Sequence, residues 1–134
     1  MAKGPVALIG DVHGDFFTLK DLLKKIPADV PVIQVGDFGV WPTLRGRWDL
    51  AAIDRPVFFV DGNHDCTPML KTDAELPYPV WPNAVLVPRG YVTEINGLKV
   101  LFLGGSKSVD RKLRPKNDQY QYGWFEGEQL TEAD

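Results

Sequence analysis

Three short groups of residues in this chain have the types and spacing to do chemistry together. They are Asp11 and His13 in GDVHG (10–14), Asp37 in GD (36–37), and Asn63, His64 and Asp65 in GNHD (62–65). Taken singly, an Asp or Asn that follows a strand more often serves a turn or a cap. Taken together they are better explained by a cation, because converging carboxylates repel one another and suffer desolvation, and a divalent metal compensates both costs. Carboxylate, imidazole and carboxamide donors in one set suit Mn, Fe, Zn or a related ion better than calcium.

The elements that must position these residues are legible around them. Val6 to Ile9 is a β-branched-rich apolar run that reads as a strand buried on both faces, Val30 to Val35 and Pro56 to Val60 read as a second and a third strand, and each chemical group follows one of them. Between the first two, Asp15 can cap a helix whose apolar stripe is Phe16, Leu19, Leu23 and Ile26, ended by Pro27. This β-helix-β unit implies a parallel pair. The carboxyl ends of parallel strands converge on one crevice, so groups 26 and 27 positions apart (11 to 37, 37 to 64) can share a site. Thr43 to Asp54 predicts a short helix weakened by Gly46, and Thr67 to Lys71 a helical turn. Pro77, Pro79 and Pro82 predict an irregular crossing over 73–83. Ala84 to Val87, Tyr91 to Ile95 and Leu98 to Leu103 read as further strands, with Asn96-Gly97 a hairpin turn between the last two. A long aperiodic segment, 104–123, follows. From Glu126 the sequence reads as the opening of a helix. The fold class is α/β, with parallel strands followed by an antiparallel hairpin.

With D-x-H, G-D and G-N-H-D in order at successive strand ends, the chain resembles the calcineurin-like metallophosphoesterases, from its first strand to about Trp124. GDFG, FVDGNHD and GGSKSVD resemble a bacterial or phage branch of that family. The resemblance implies a layered metallophosphoesterase-like α/β fold and a dinuclear site that hydrolyses phosphomonoesters or phosphodiesters. Carried over residue by residue, Asp11 and His13 would bind one metal, Asp37 would bridge two, and Asn63 would bind the second. His64 would contact the phosphate and protonate the leaving oxygen, with Asp65 orienting it. Two metals about 3.5–4 Å apart activate a water and clamp a phosphoryl group for in-line attack.

The chain departs from that pattern in one respect. The family continues with a further metal-binding histidine and a G-H-x-H motif, whereas this chain has two histidines, both already assigned. The first metal would keep Asp11, His13 and the Asp37 bridge, and the second only Asp37 and Asn63, so the expectation is weak binding at one site, little at the other, and hydrolysis near background. The end at Asp134 within a starting helix predicts a single domain over 1–134, truncated at its C-terminus, with an oligomer or a complementing chain as a source of further ligands. The alternative is a non-catalytic module that keeps the fold and binds a partner or a single metal. A haloacid-dehalogenase-like phosphatase is a poor third reading, since it needs Asp where His13 stands.

Composition excludes other classes. The 134 residues carry a formal charge of −3, which gives no global basic field for nucleic acid. No run approaches the ~20 apolar residues that span a bilayer. The single cysteine and the short apolar run of MAKGPVALIGD predict a cytoplasmic protein. Lys107, Arg111, Lys112, Arg114 and Lys116 could attract a phosphoester (a nucleotide, nucleic acid or small phosphoester), although a solvated loop is the blander reading. Ser106 and Arg111 are the substrate-contact candidates, and Asp110 could join them. Trp41 could line a pocket, while Trp48, Trp81 and Trp124 read as packing residues. Cys66 reads as a small buried residue. GDFGVWP lacks the Arg that follows G-D in the protein-phosphatase branch, which disfavours phosphoprotein substrates.

Overall fold

The structure, a computed structural model, describes residues 3–108, 116 and 125–134. Strands β1 (Ala7–Ile9), β2 (Val32–Gln34), β3 (Val57–Phe59), β4 (Tyr78–Trp81) and β5 (Ala84–Leu86) form one sheet in the order β1-β2-β3-β5-β4. β1, β2, β3 and β5 run parallel, and β4 pairs antiparallel with β5 at the edge. A separate hairpin joins β6 (Val92–Ile95) to β7 (Leu98–Leu101). Its turn residues Asn96 and Gly97 have φ of 49° and 78°, the left-handed pair that a two-residue turn requires.

Helix α1 (Phe16–Leu23) starts where Asp15 accepts the Thr18 N–H at 3.2 Å and the Thr18 hydroxyl at 2.8 Å, a cap worth about 1 kcal/mol. It buries Phe16, Leu19 and Leu23. Helix α2 (Arg45–Ala51) follows a 3₁₀ turn at Pro42–Leu44 and buries Trp48 and Ala51. Both helices cover one face of the sheet, where Phe16, Phe38, Trp48, Phe59 and Trp81 form the aromatic centre of the main core. A smaller core of Ile33, Val60, Val87 and Phe102 has Tyr91, Ile95 and Val100, from around the hairpin, packed against it.

Three readings change. β1 is covered on one face only, since Ala7 and Ile9 pack against the main core while Leu8 between them is 70% exposed. The proline-rich crossing contains β4; Pro79 lacks an N–H to donate, which an edge strand tolerates. The last segment makes only a 3₁₀ turn at Glu126–Glu128. Among the described residues no helix is long and apolar enough to cross a membrane.

Candidate metal centre

The loops after β1, β2 and β3 meet at one end of the parallel sheet. The first is stitched to the second by main-chain bonds: the N–H groups of Val12 and His13 both donate to Asp37 O, at 3.1 and 2.8 Å, and Gly14 N–H donates to Phe38 O at 3.1 Å. This approach requires glycine at position 39, where φ is +105° and a Cβ would overlap the backbone of Gly14. Gln34, buried at the end of β2, ties the strand ends together by donating to Gly10 O and Gly36 O and accepting from Gly36 N–H. The third loop presses on the second so closely that a Cβ on Gly62 would overlap Asp37 Oδ1 and N.

These contacts place Asp11, His13 and Asp37 with one ligand atom each inside a span of 4.8 Å. His13 Nε2 lies 3.3 Å from Asp11 Oδ2 and 3.8 Å from Asp37 Oδ2. Asp37 is pinned through its other oxygen, which accepts the His64 N–H at 2.8 Å. His13 and Asp37 both hold left-handed backbones, φ 49° and 53°. Such conformations cost a non-glycine residue about 1–3 kcal/mol and persist where the surroundings impose them, as at functional sites. The donor set of two carboxylates with an imidazole nitrogen close to both fits a divalent metal, to which each residue would supply one donor atom.

Asn63 and Ser106 line the same pocket, of about 160 Å³, together with Asp11, Asp37 and Asp61. The His64 ring stands edge-on to the His13 ring with centroids 5.2 Å apart, so the imidazole borders the metal centre. Its backbone is fixed by Trp41, whose indole N–H donates to His64 O at 2.6 Å; Trp41 is fully buried and supports the site from within the core.

Among the described residues Asp65, expected as the carboxylate that orients His64, has backbone N–H groups as its hydrogen-bond partners. It is fully buried, and its oxygens accept the N–H groups of Phe38, Gly39, Val40 and Gly62. Its acceptors therefore tie the loop that carries Asp37 to Gly62 in the loop that carries His64. Burial pushes its carboxyl up to about 6, with the N–H groups of Gly62, Gly39 and Val40 pulling the other way. Cys66 is buried and free, its thiol raised by desolvation, as a packing residue should be.

Of the basic cluster, Lys107 is exposed and Lys116 pairs with Glu126 at 2.8 Å. Arg111, Lys112 and Arg114 lie outside the described residues, as do Asp110 and Trp124.

Sequence reasoning missed the support behind the site. Asp61, 1% exposed at its side chain, accepts from Arg89 Nη2 at 2.7 Å, and Arg89 also donates to Gly127 O, Glu128 O, Gln129 O and Asp134 Oδ2. A charge inserted into the apolar context of VLVPRG was the available signal for Arg89.

The calcineurin-like phosphoesterase family model matches residues 4–133, and the chain belongs to that family. No curated protein gives a significant match. Membership suggests a hydrolase that uses divalent metals, in keeping with the mixed α/β fold and the Asp-His-Asp group.

Proposed function

We propose that the crevice hydrolyses a phosphoester, with Asp11, His13 and Asp37 holding one divalent metal and Asp37 and Asn63 contributing to a second. The observation that carries this reading is the convergence of Asp11, His13 and Asp37 from two strand ends, with donor atoms inside 4.8 Å. A metal there supplies Lewis-acid polarisation of the phosphoryl group and an activated water. The chain's own residues do the rest. The loop contacts at Gly39 and Gly62 hold the donors in place before substrate arrives. His64, beside His13, donates a proton to the leaving oxygen. Ser106 contacts the substrate at the pocket rim, and Arg111 is a second substrate-contact candidate on its sequence position alone.

GDFG and FVDGNHD support placement in the bacterial or phage branch. The substrate class is a nucleotide, a nucleic acid or a small phosphoester in the cytoplasm.

A second reading, a non-catalytic module that binds a single metal, is favoured by one observation: Asp11, His13 and Asp37 are the one group of three clustered donors among the described residues. Mn²⁺-dependent hydrolysis of bis(p-nitrophenyl) phosphate separates the two. The enzyme reading expects slow turnover that keeps rising with Mn²⁺ and falls to the protein-free background in His64→Ala, with Mn²⁺ affinity retained. Turnover that is absent at every Mn²⁺ concentration, or unchanged by His64→Ala, contradicts it.

A further inference from the structure

Behind Asn63 lies a chain of hydrogen bonds that ends in a buried carboxylate. Glu128 is fully buried, and its Oε1 accepts both the backbone N–H of Ser108 at 3.2 Å and the Ser108 hydroxyl at 2.5 Å. The serine hydrogen is therefore committed to Glu128. The Ser108 oxygen, itself buried, accepts from Asn63 Nδ2 at 3.3 Å. The direction of these two bonds follows from Glu128: a carboxylate oxygen can only accept, so the Ser108 hydroxyl donates to it and meets Asn63 Nδ2 with a lone pair.

An asparagine amide has one end that a cation accepts and one that it rejects. With Nδ2 turned to Ser108, Oδ1 is directed away from it, on a residue that lines the pocket with Asp11 and Asp37. A flip of about 180° about χ2 would present an NH₂ group in its place, so the choice of end decides whether Asn63 can act as a ligand.

We propose that Glu128 is a positioning residue which, through Ser108, locks the Asn63 carboxamide in its metal-accepting orientation. This rests on the metal-centre reading. The backbone around Glu128 is held independently of its side chain, since Glu128 O accepts from Ser106 N–H at 2.7 Å and from Arg89. Changes to the side chain leave these two backbone contacts in place, and Glu128→Gln also keeps an acceptor for the Ser108 N–H.

The experiment has two arms. In the first, the Asn63 side-chain NH₂ resonances, assigned by their loss in Asn63→Ala, are followed by NMR in the metal-free protein. Ser108→Ala and Glu128→Met should shift them and speed their exchange with solvent. Glu128→Gln, which keeps an acceptor for Ser108, should leave them in place. In the second arm, calorimetric Mn²⁺ titration should show the weaker of two binding phases lowered about 10-fold by Ser108→Ala, with the stronger phase unchanged. That effect should vanish in an Asn63→Ala background, as a double-mutant cycle requires of a residue acting through another. A merely structural role would instead lower both phases and persist without Asn63. Unchanged Asn63 resonances in Ser108→Ala overturn the proposal. A wild-type protein that binds no Mn²⁺ overturns the metal-centre reading alone, and the NMR arm still decides the orientation.

Discussion

Replacing Arg89 with methionine is expected to remove about 3–5 kcal/mol of folding free energy, read as a lowered urea midpoint by tryptophan fluorescence. Methionine keeps much of the apolar stem but leaves Asp61, 1% exposed at its side chain, as a buried carboxylate without its cation. The guanidinium also ties the loop after β3 to residues 127–134 through three backbone carbonyls and Asp134, and in the same step Gly127 O and Gln129 O lose its bonds, while Glu128 O keeps Ser106 N–H and Asp134 keeps Thr131. Against a typical stability of about 5–15 kcal/mol, the loss leaves little margin. Much of it should return in the double variant Arg89→Met with Asp61→Asn, which removes the stranded charge. A single variant within about 1 kcal/mol of wild type would show that the pair contributes no structural support.

Asp65→Asn should cost about 2–6 kcal/mol, because the native carboxylate accepts four backbone N–H groups and an amide can accept only at one end. Two N–H donors would then face an NH₂ group in the interior. They belong to the loops that carry Asp37 and His64, so Mn²⁺ binding should fall with stability. The pH dependence has a definite sign. The folded carboxyl is raised from 3.8 to about 6, so the folded state holds the proton more tightly than the unfolded chain. Its favourable contribution is complete below 3.8 and is lost as pH rises through about 6. In EDTA, the wild-type urea midpoint should therefore decline from roughly pH 4 to pH 6.5 relative to Asp65→Asn, whose residue 65 does not titrate. A parallel course of the two proteins over that range would place the Asp65 titration elsewhere.

What could be read from the sequence was whatever local rules determine. β1, β2 and β3 follow β-branched runs, α1 follows a capping Asp15 and a three-four apolar stripe, and Asn96-Gly97 specifies the hairpin. The residues at the strand ends were legible for the same reason: parallel strands deliver their carboxyl ends to one place, and the structure puts Asp11, His13 and Asp37 there. β4 was obscured because its prolines break the usual strand pattern, and only its edge position makes them harmless. Gln34, Asp61, Arg89, Ser108 and Glu128 were invisible because their roles are tertiary. Each is a polar side chain at a buried position whose partner lies on another segment, 20 or more residues away for most of these bonds, and no local pattern encodes the pairing. The four backbone N–H groups that Asp65 accepts were likewise beyond reach, since a motif records which residue is present and not which partners its side chain meets.

The central claim is that Asp11, His13 and Asp37 form a metal-holding centre. Calorimetric titration of Mn²⁺ into the metal-free protein, with Asp37→Asn alongside, tests it most directly. Asparagine retains an oxygen for the His64 N–H, so the loop should keep its shape, and removing one of two facing carboxylates should leave the metal-free protein as stable as before or more so. Mn²⁺ should bind the wild type and fail to bind Asp37→Asn, which keeps its fold. Equal Mn²⁺ affinity in the two proteins, or none in the wild type, would contradict the claim.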